Sequence, residues 1–581
     1  MRLGAKPDKN LSYQAGVLSL MQFKSDLYGE RTAFYLREDG LWKETTYSKL
    51  ADDVKRLSDY LIERGVERGD RIAILAESRP EWAVAFFAAI RSGAVVVPVD
   101  IKLTRPEQSS ILADAEPRFL FVSAQTLPAA CDLQSKVALP MSIIVMNGRK
   151  SDAGYPSLAE LRASRECDGV ERDFDETAMI VYTSGTTGCP KGVMISFRNL
   201  GYQVMNIECV MKLTSQDVLL SMLPLNHLLE LTCGLLGVLY AGGSICYCHT
   251  LFPQEIAEVM RQRKVTAIIT VPLFLKMLKG SIEREVERAG TFGRTLFSVA
   301  FRAAPRRGPR FIKKLLFHKV HKQFGGRLKN FISGGSSLDS DVATFFDRLG
   351  IPIYLGYGLT ETSPVISVNT PKARRINSVG RPLEGVSVRI LSNGEKEGEG
   401  EGEILTAGPH VMQGYYRRAD LTAKVVDRDG WFHTGDIGRL DKDGFLYITG
   451  RIKNLIVLAS GKKVNPDEVE AVIARSPLIK EVCVLGSICR DGLMRGTEEV
   501  CAVVVPTEAV VQTGDEPEIT VRIKEEIARL SQDLASYKRP SRVSLYFEDL
   551  PKTPTRKIKR PVLLEWLARQ EPSPVEASIP G

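Results

Sequence analysis

An apolar stretch, AMIVY at 178–182, runs directly into YTSGTTGCPKGVM at 182–194, and this junction constrains the fold more than any other feature of the chain. A short uncharged apolar run reads as a buried strand. The Ser, Thr and Gly residues that follow let backbone N–H groups approach an anion closely. Their hydroxyls add donors, and Lys191 adds positive charge. A triphosphate needs that combination. The GxxxxGK[ST] spacing of a Walker A loop is absent. A Gly/Thr-rich turn on its own is an ordinary surface loop. At the end of a buried strand it lies where α/β proteins place their ligands.

The chain has 581 residues, too many for one core, so two or more domains are expected. Up to about residue 175, helix-like and strand-like patterns alternate. YSKLADDVKRLSDYLIERG at 47–65 has helical spacing and a Gly stop. RIAILA at 71–76 and AVVVPVD at 94–100 are strand-like runs, and WAVAFFAAIRSG at 82–93 is a helix between them. This β-α-β alternation predicts a mainly parallel sheet. It resumes after the Gly/Thr loop, at TAIITV (266–271) and IPIYLGYG (351–358). Near residue 380 the pattern changes: SNGEKEGEGEGEI at 392–404 is turn-rich and acidic, with short strands on either side. From about residue 450 a smaller unit follows, with strand-like EVCVLGSI and EVCAVVVPT and helix-like PDEVEAVIARS. The Pro/Ser-rich tail at 571–581 reads as disordered.

Composition excludes some function classes. With 44% hydrophobic and 25% charged residues, the chain reads as a soluble globular protein. The net charge of +8 is too mild to argue for nucleic acid. That charge is unevenly placed: residues 291–330 hold eleven Lys/Arg and no Asp/Glu, with apolar residues interleaved as in PRFIKKLLFHKVHKQF. A basic amphipathic segment suits a membrane surface or an anionic-ligand funnel, and equally a solvated helix face. The ten cysteines show no paired spacing and suit buried thiols in a reducing cytosol. Cys246-x-Cys248-His249 has no second cluster to complete four metal ligands, and the alternation around it fits a buried strand. The N-terminal MRLGAKPDKN lacks the apolar core of a signal peptide. The longest uncharged stretch, 231–254, is broken by Gly242-Gly243 and reads as a buried helix and strand rather than a membrane span. A cytoplasmic location is expected, with peripheral contact at the inner membrane face through 291–330 left open, as is an oligomer.

At YTSGTTGCPKGVM the chain resembles the phosphate-binding signature of the adenylate-forming (acyl-activating) enzymes, and further motifs occur in that superfamily's order. The resemblance assigns ATP phosphate contacts to Thr183, Ser184, Gly185, Thr186, Thr187, Gly188 and Lys191. SGGSSL at 333–338, with Gly335 and Ser336, resembles the adenine-contacting loop. In YLGYGLTETSP (354–364) it implies that Tyr357 stacks on adenine, Thr360 contacts the α-phosphate and Glu361 binds Mg²⁺. A single protein carboxylate suits Mg²⁺, which keeps waters and phosphate oxygens as its other ligands. GWFHTGDIG (430–438) places Asp436 on the ribose hydroxyls. For GRIKNLIVLASGKKVNPDEVE (450–470) the resemblance implies that Arg451 reaches the ribose and phosphates, that Lys453 is the hinge, and that Ser460-Gly461 approaches the pantetheine thiol of CoA. PKTPTRKIKR (551–560) resembles the catalytic-lysine motif, which maps to Lys557; Arg556 stands where the family usually has Gly. A lysine there would neutralise charge developing at the carboxylate and α-phosphate.

LPLNHLLE (223–230) resembles the acyl-pocket motif, with His227 near the substrate carboxylate. Amino-acid-activating members carry an aspartate just beyond; here LTCGLLG follows, which disfavours an amino-acid substrate. H-x-x-E resembles the long-chain fatty acyl-CoA synthetases, although Leu231 stands about where some of them have a gating Trp. The expected architecture is α/β: a large multi-sheet N-terminal domain over 1–450 and a small mobile α+β C-terminal domain over 451–570. The expected reaction uses ATP, Mg²⁺ and CoA to convert a long-chain fatty acid to acyl-AMP and then acyl-CoA. The alternatives are an acyl-carrier-protein acceptor, another hydrophobic acid, and, remotely, a non-catalytic nucleotide-binding regulator.

Overall fold

The computed structural model describes residues 25–137, 140–148, 154–183, 190–250, 252–304, 308–336, 338–392, 400–458, 460, 462–488, 498–552 and 558–569. The tail at 571–581 lies outside the described residues. The chain divides into two compact units. One runs to Val388 and adds Thr406–His433 and Asp441–Leu446; the other holds Arg389–Leu405, Thr434–Leu440 and the chain from Tyr447.

Two twisted sheets form the first unit. The seven-stranded sheet runs in the order Gly414–Tyr415, Lys191–Ser196, Thr177–Thr183, Val95–Pro98, Arg71–Leu75, Phe119–Val122, Ser142–Val145. Its last five strands are mutually parallel, as the β-α-β alternation predicts. The nine-stranded sheet has a parallel centre, Ile353–Tyr357, Asn330–Ser333, Ala267–Thr270, Val218–Ser221, Ser244–Tyr247 and Thr32–Glu38, closed at both edges by antiparallel strands. Parallel strands need covering on both faces, which is why these runs are almost wholly apolar.

Helix Pro80–Arg91 shows how the sheets are held. Its residues from Pro80 to Ile90 other than Glu81 are all buried, and a single apolar cluster joins it to Ile72 and Val96 of one sheet and to Leu219, Ile245 and Ile269 of the other. A helix apolar all round belongs inside a core. Helix Tyr47–Glu63 is amphipathic instead, burying Leu50, Val54, Leu57 and Leu61 at three- and four-residue spacing, with the Thr46 side chain capping it from Lys49 N–H. The 231–254 stretch becomes a buried π-helix, Leu229–Leu236, then a short helix and the buried strand Ser244–Tyr247. Every residue of that strand, Cys246 included, is buried. No helix among the described residues is long and apolar enough to cross a membrane.

The second unit has a four-stranded sheet, Ser387–Leu391, Gly402–Ala407, Phe432–Leu440 and Leu446–Arg451, most of whose residues fall within it, and a three-stranded sheet. In the latter, Ile479–Ile488 pairs antiparallel with Glu498–Pro506, which pairs parallel with Arg542–Leu545. Helix Glu516–Leu530 lays Ile519, Ile523 and Ile527 on this sheet, four residues apart on one face.

Candidate active site

The Gly/Thr loop does leave a buried strand, yet it leads into a second strand rather than a helix. Thr177–Thr183 turns back on Lys191–Ser196 as an antiparallel hairpin, with Thr183 opposite Lys191. Both ends of the loop are therefore held by the ladder of one sheet. Ser184, Gly185, Thr186, Thr187 and Gly188 lie outside the described residues.

The Lys191 ammonium stands 5.4 Å from the centre of the Tyr415 ring. Tyr415 lies on the neighbouring edge strand and donates its hydroxyl to Glu361 Oε1 at 2.9 Å. Burial, with the Glu361 carboxylate beside it, pushes the Tyr415 phenol well above its usual value, so it stays protonated and donates. The Met412 N–H donates to the Glu361 carbonyl at 2.9 Å, fixing the backbone that carries the carboxylate. The chain thus brings a cation at the phosphate loop and a carboxylate from a motif 170 residues away into one constellation through a tyrosine that local motifs did not reveal. No hydrogen-bond partner holds Glu361 Oε2 among the described residues. Thr360 and Glu361 form a 3₁₀ turn just past strand Ile353–Tyr357. Gly358 makes the turn possible: a Cβ there would meet Pro364 O at 1.8 Å.

Tyr357 ends that strand, and SGGSSL follows the adjacent parallel strand Asn330–Ser333, with Ser333 opposite Leu355. Tyr357, Gly335 and Ser336 therefore emerge from neighbouring carboxyl ends of one sheet, the place such sheets offer to ligands. Gly335 takes a positive φ of 87°, and Gly335 and Ser336 are exposed.

His227 lies in the turn before the π-helix, its Nε2 3.6 Å from Asp100 Oδ2. The turn is held by Ser78, whose hydroxyl donates to Leu223 O at 3.1 Å and accepts from Leu225 N–H at 3.0 Å. Leu229 at the head of the π-helix reaches the glycine loop: a Cβ on Gly334 would lie 3.4 Å from Leu229 Cδ2. Wide π-turns often occur at functional sites. Glu230 on this helix is fully buried, neither of its oxygens has a hydrogen-bond partner among the described residues, and burial pushes its carboxyl up to about 8.

In the second unit, Asp436 and Arg451 meet. The Arg451 Nε lies 2.7 Å from Asp436 Oδ1, and Asp436 is buried on strand Phe432–Leu440. Lys453 is exposed in the 3₁₀ turn Ile452–Asn454 directly after. Gly461 and Lys557, with Arg556, lie outside the described residues. The segment flanking Lys557 is tied at both ends: Lys552 pairs with Glu481, and the Arg560 guanidinium lies 2.9 Å from Glu470 Oε1.

Among the described residues no group of three or more His, Cys, Asp or Glu could hold a metal ion. The residues present fit a Mg²⁺ ion that shares one carboxylate, Glu361, with phosphate oxygens.

Comparison with known proteins agrees with this geometry. Residues 23–416 match the model of the AMP-binding enzyme family, and residues 468–557 match the AMP-binding enzyme C-terminal domain. A long-chain-fatty-acid–CoA ligase, FadD15, of Mycobacterium bovis is 30% identical over 478 residues, 77% of this chain and 76% of that protein. An indoleacetate–CoA ligase of Aromatoleum aromaticum is 29% identical over 538 residues, 91% of this chain and 94% of its own length. The crystal structure of ATP-bound MatB from Rhodopseudomonas palustris superposes with a TM-score of 0.76 at 27% identity, covering 95% of this chain and 99% of that one.

Proposed function

Because the chain belongs to the AMP-binding enzyme family, we propose that it activates a long-chain fatty acid with ATP and passes the acyl group to CoA. The coarser activity follows from membership: an adenylate-forming acid–thiol ligase that uses ATP, Mg²⁺ and a thiol acceptor. Long-chain specificity is our own reading. What supports it is the apolar character of the π-helix behind His227: Leu231, Cys233, Leu235 and Leu236 are buried, and burial of Glu230 disfavours its charged form.

In this reading the substrate carboxylate attacks the α-phosphate, forming acyl-AMP and releasing pyrophosphate. Thr183 and Lys191, with the loop between them, hold the phosphates. Glu361, oriented by Tyr415, holds Mg²⁺, which when bound neutralises phosphate charge. Tyr357 and the Gly335–Ser336 turn receive the adenine, and Asp436 with Arg451 receives the ribose. Thr360 and Lys557 stabilise the charge that develops at the α-phosphate. His227 orients the carboxylate. The CoA thiolate then attacks the acyl carbonyl, AMP leaves, and the carbonyl is restored. Lys453 is the pivot that exchanges Lys557 for the Gly461 segment between the two steps.

The test is AMP release by the purified protein against acids from acetate to a twenty-carbon chain, with and without CoA. AMP that rises with chain length and turns over only with CoA is expected. Preference for an aryl acid such as indoleacetate would replace the substrate assignment. Acyl-AMP that accumulates despite CoA would move the acceptor to a carrier protein.

A further inference from the structure

We propose that the basic segment of the first unit is a docking face for an anionic bilayer, with a phospholipid phosphate seated in a pocket at its base. The inference is independent of which acid the enzyme activates.

Two helices of this segment turn apolar side chains outward. On Gly290–Ala303, Phe292, Leu296 and Val299 stand at i, i+4 and i+7, 82%, 59% and 59% exposed. The same helix packs inward through Phe297 and Phe301, which meet Phe317 at ring distances of 5.5 and 6.3 Å. On Arg310–Leu316, Phe311 and Leu315 are 72% and 76% exposed, one turn apart. Gly290–Ala303 thus has an apolar inner face and a second apolar face directed at solvent, while Arg310–Leu316, whose buried residue is Lys313, holds Phe311 and Leu315 in solvent. Water disfavours such a stripe, and an apolar layer would cover it.

Charge identifies the covering layer. Phe311 and Leu315 line a pocket of about 580 Å³ whose rim carries Arg261, Lys264, Lys314 and Lys322. None of these four has a carboxylate within ion-pair distance among the described residues; the Lys314 ammonium donates to the Gly326 carbonyl at 2.7 Å. The pocket is built by close approach: Gly325, at a φ of 76°, turns the chain so near Met260 that a Cβ would lie 2.3 Å from Met260 O. In sequence, the nearest acids on either side of the basic run are Glu287 and Asp339. Cations without a neutralising carboxylate around an apolar floor, beside protruding aromatic and aliphatic anchors, match a lipid phosphate with its acyl chains alongside. An acidic protein partner would supply the charge but no reason for two apolar stripes.

The test is co-sedimentation of the full chain with phosphatidylcholine vesicles and with vesicles containing about one-third phosphatidylglycerol. Binding to the anionic vesicles alone is expected, weakening as salt rises. Lys314→Glu with Lys322→Glu should lower the affinity at least roughly tenfold, given about 1 kcal/mol per basic residue at such a surface. Phe311→Ser with Leu315→Ser should also release the protein while leaving its charge unchanged. Reversal of two exposed cations in the second unit, Arg522→Glu with Lys524→Glu, should leave binding intact. Melting curves matching the parent would establish that each variant is folded. Equal binding to both vesicle types, retention of binding by the Lys314/Lys322 variant, or no binding by the parent would overturn the proposal.

Discussion

Replacing Glu230 with glutamine should change how stability depends on pH. The Glu230 carboxyl is fully buried in the π-helix, and a Cβ on Gly234 would lie 2.8 Å from its carbon. Among the described residues no cation offsets the loss of water, and burial pushes the carboxyl from 4.5 up to about 8. The Ser221, Thr232 and Tyr247 hydroxyls are likewise buried without partners among the described residues. Between about pH 4.5 and 8 the folded chain therefore keeps a proton that the unfolded chain has released. The Glu230 contribution to stability must fall as pH rises through that window, by about 1.4 kcal/mol per pH unit, and level off outside it. From pH 5.5 to 7.5 that amounts to about 3 kcal/mol, and in a unit this large roughly 1–2 °C of melting temperature per pH unit. Glutamine keeps the shape and removes the titration. The difference in melting temperature between Glu230→Gln and the parent should grow steadily in favour of the variant as pH rises, whatever constant offset the amide introduces. Scanning fluorimetry of both proteins across that window measures it. A difference that stays constant with pH would show that Glu230 titrates alike folded and unfolded, and would refute the reasoning.

Tyr415→Phe keeps the ring under Lys191 but removes the donor to Glu361; kcat/KM for ATP should fall roughly tenfold, the worth of one hydrogen bond to a charged group, with the melting temperature nearly unchanged. Asp436→Asn should raise KM for ATP by about 10- to 100-fold on the same scale, and a nucleotide titration by calorimetry checks it directly. Lys557→Ala should abolish ATP–pyrophosphate exchange while thioester formation from supplied acyl-AMP persists; equal loss of both steps would remove Lys557 from its assigned role. His410 is fully buried, bonds only Thr406 among the described residues, at 2.9 Å, and is driven down to about 4 by burial. The unfolded chain takes up that proton first as pH falls through about 6.5, so stability should drop toward pH 4, and His410→Gln should flatten the decline in an acid melting series.

Much of the fold could be read from local pattern. Short apolar runs such as IAIL (72–75) and AIIT (267–270) do become central parallel strands, because a strand covered on both faces has no polar side to display. The edges could not be read so. Ser367–Val368 and Arg381–Pro382 are two-residue strands whose pairing depends on a neighbour rather than on their own composition. The π-helix also escaped notice, since its pattern of apolar residues is that of any buried helix.

The same distinction separates the legible half of the site from the rest. Thr183 and Lys191 lie in a motif whose small residues, turn and charge point to an anion-binding loop at a strand end, and Tyr357 and Glu361 lie in one that is marked by its resemblance to the family. Tyr415 lies in GYYRRAD, where nothing distinguishes a structural tyrosine from one that joins Lys191 to Glu361. Its role arises only when the edge strand Gly414–Tyr415 docks on Lys191–Ser196. A nucleotide site must gather opposite charges around one phosphate chain, and no short segment can do so without pairing those charges with each other. Charges brought from strands far apart in sequence stay apart until the sheet forms. The groups that set the distance between them, here a protonated phenol between an ammonium and a carboxylate, are therefore the ones that local pattern leaves hidden.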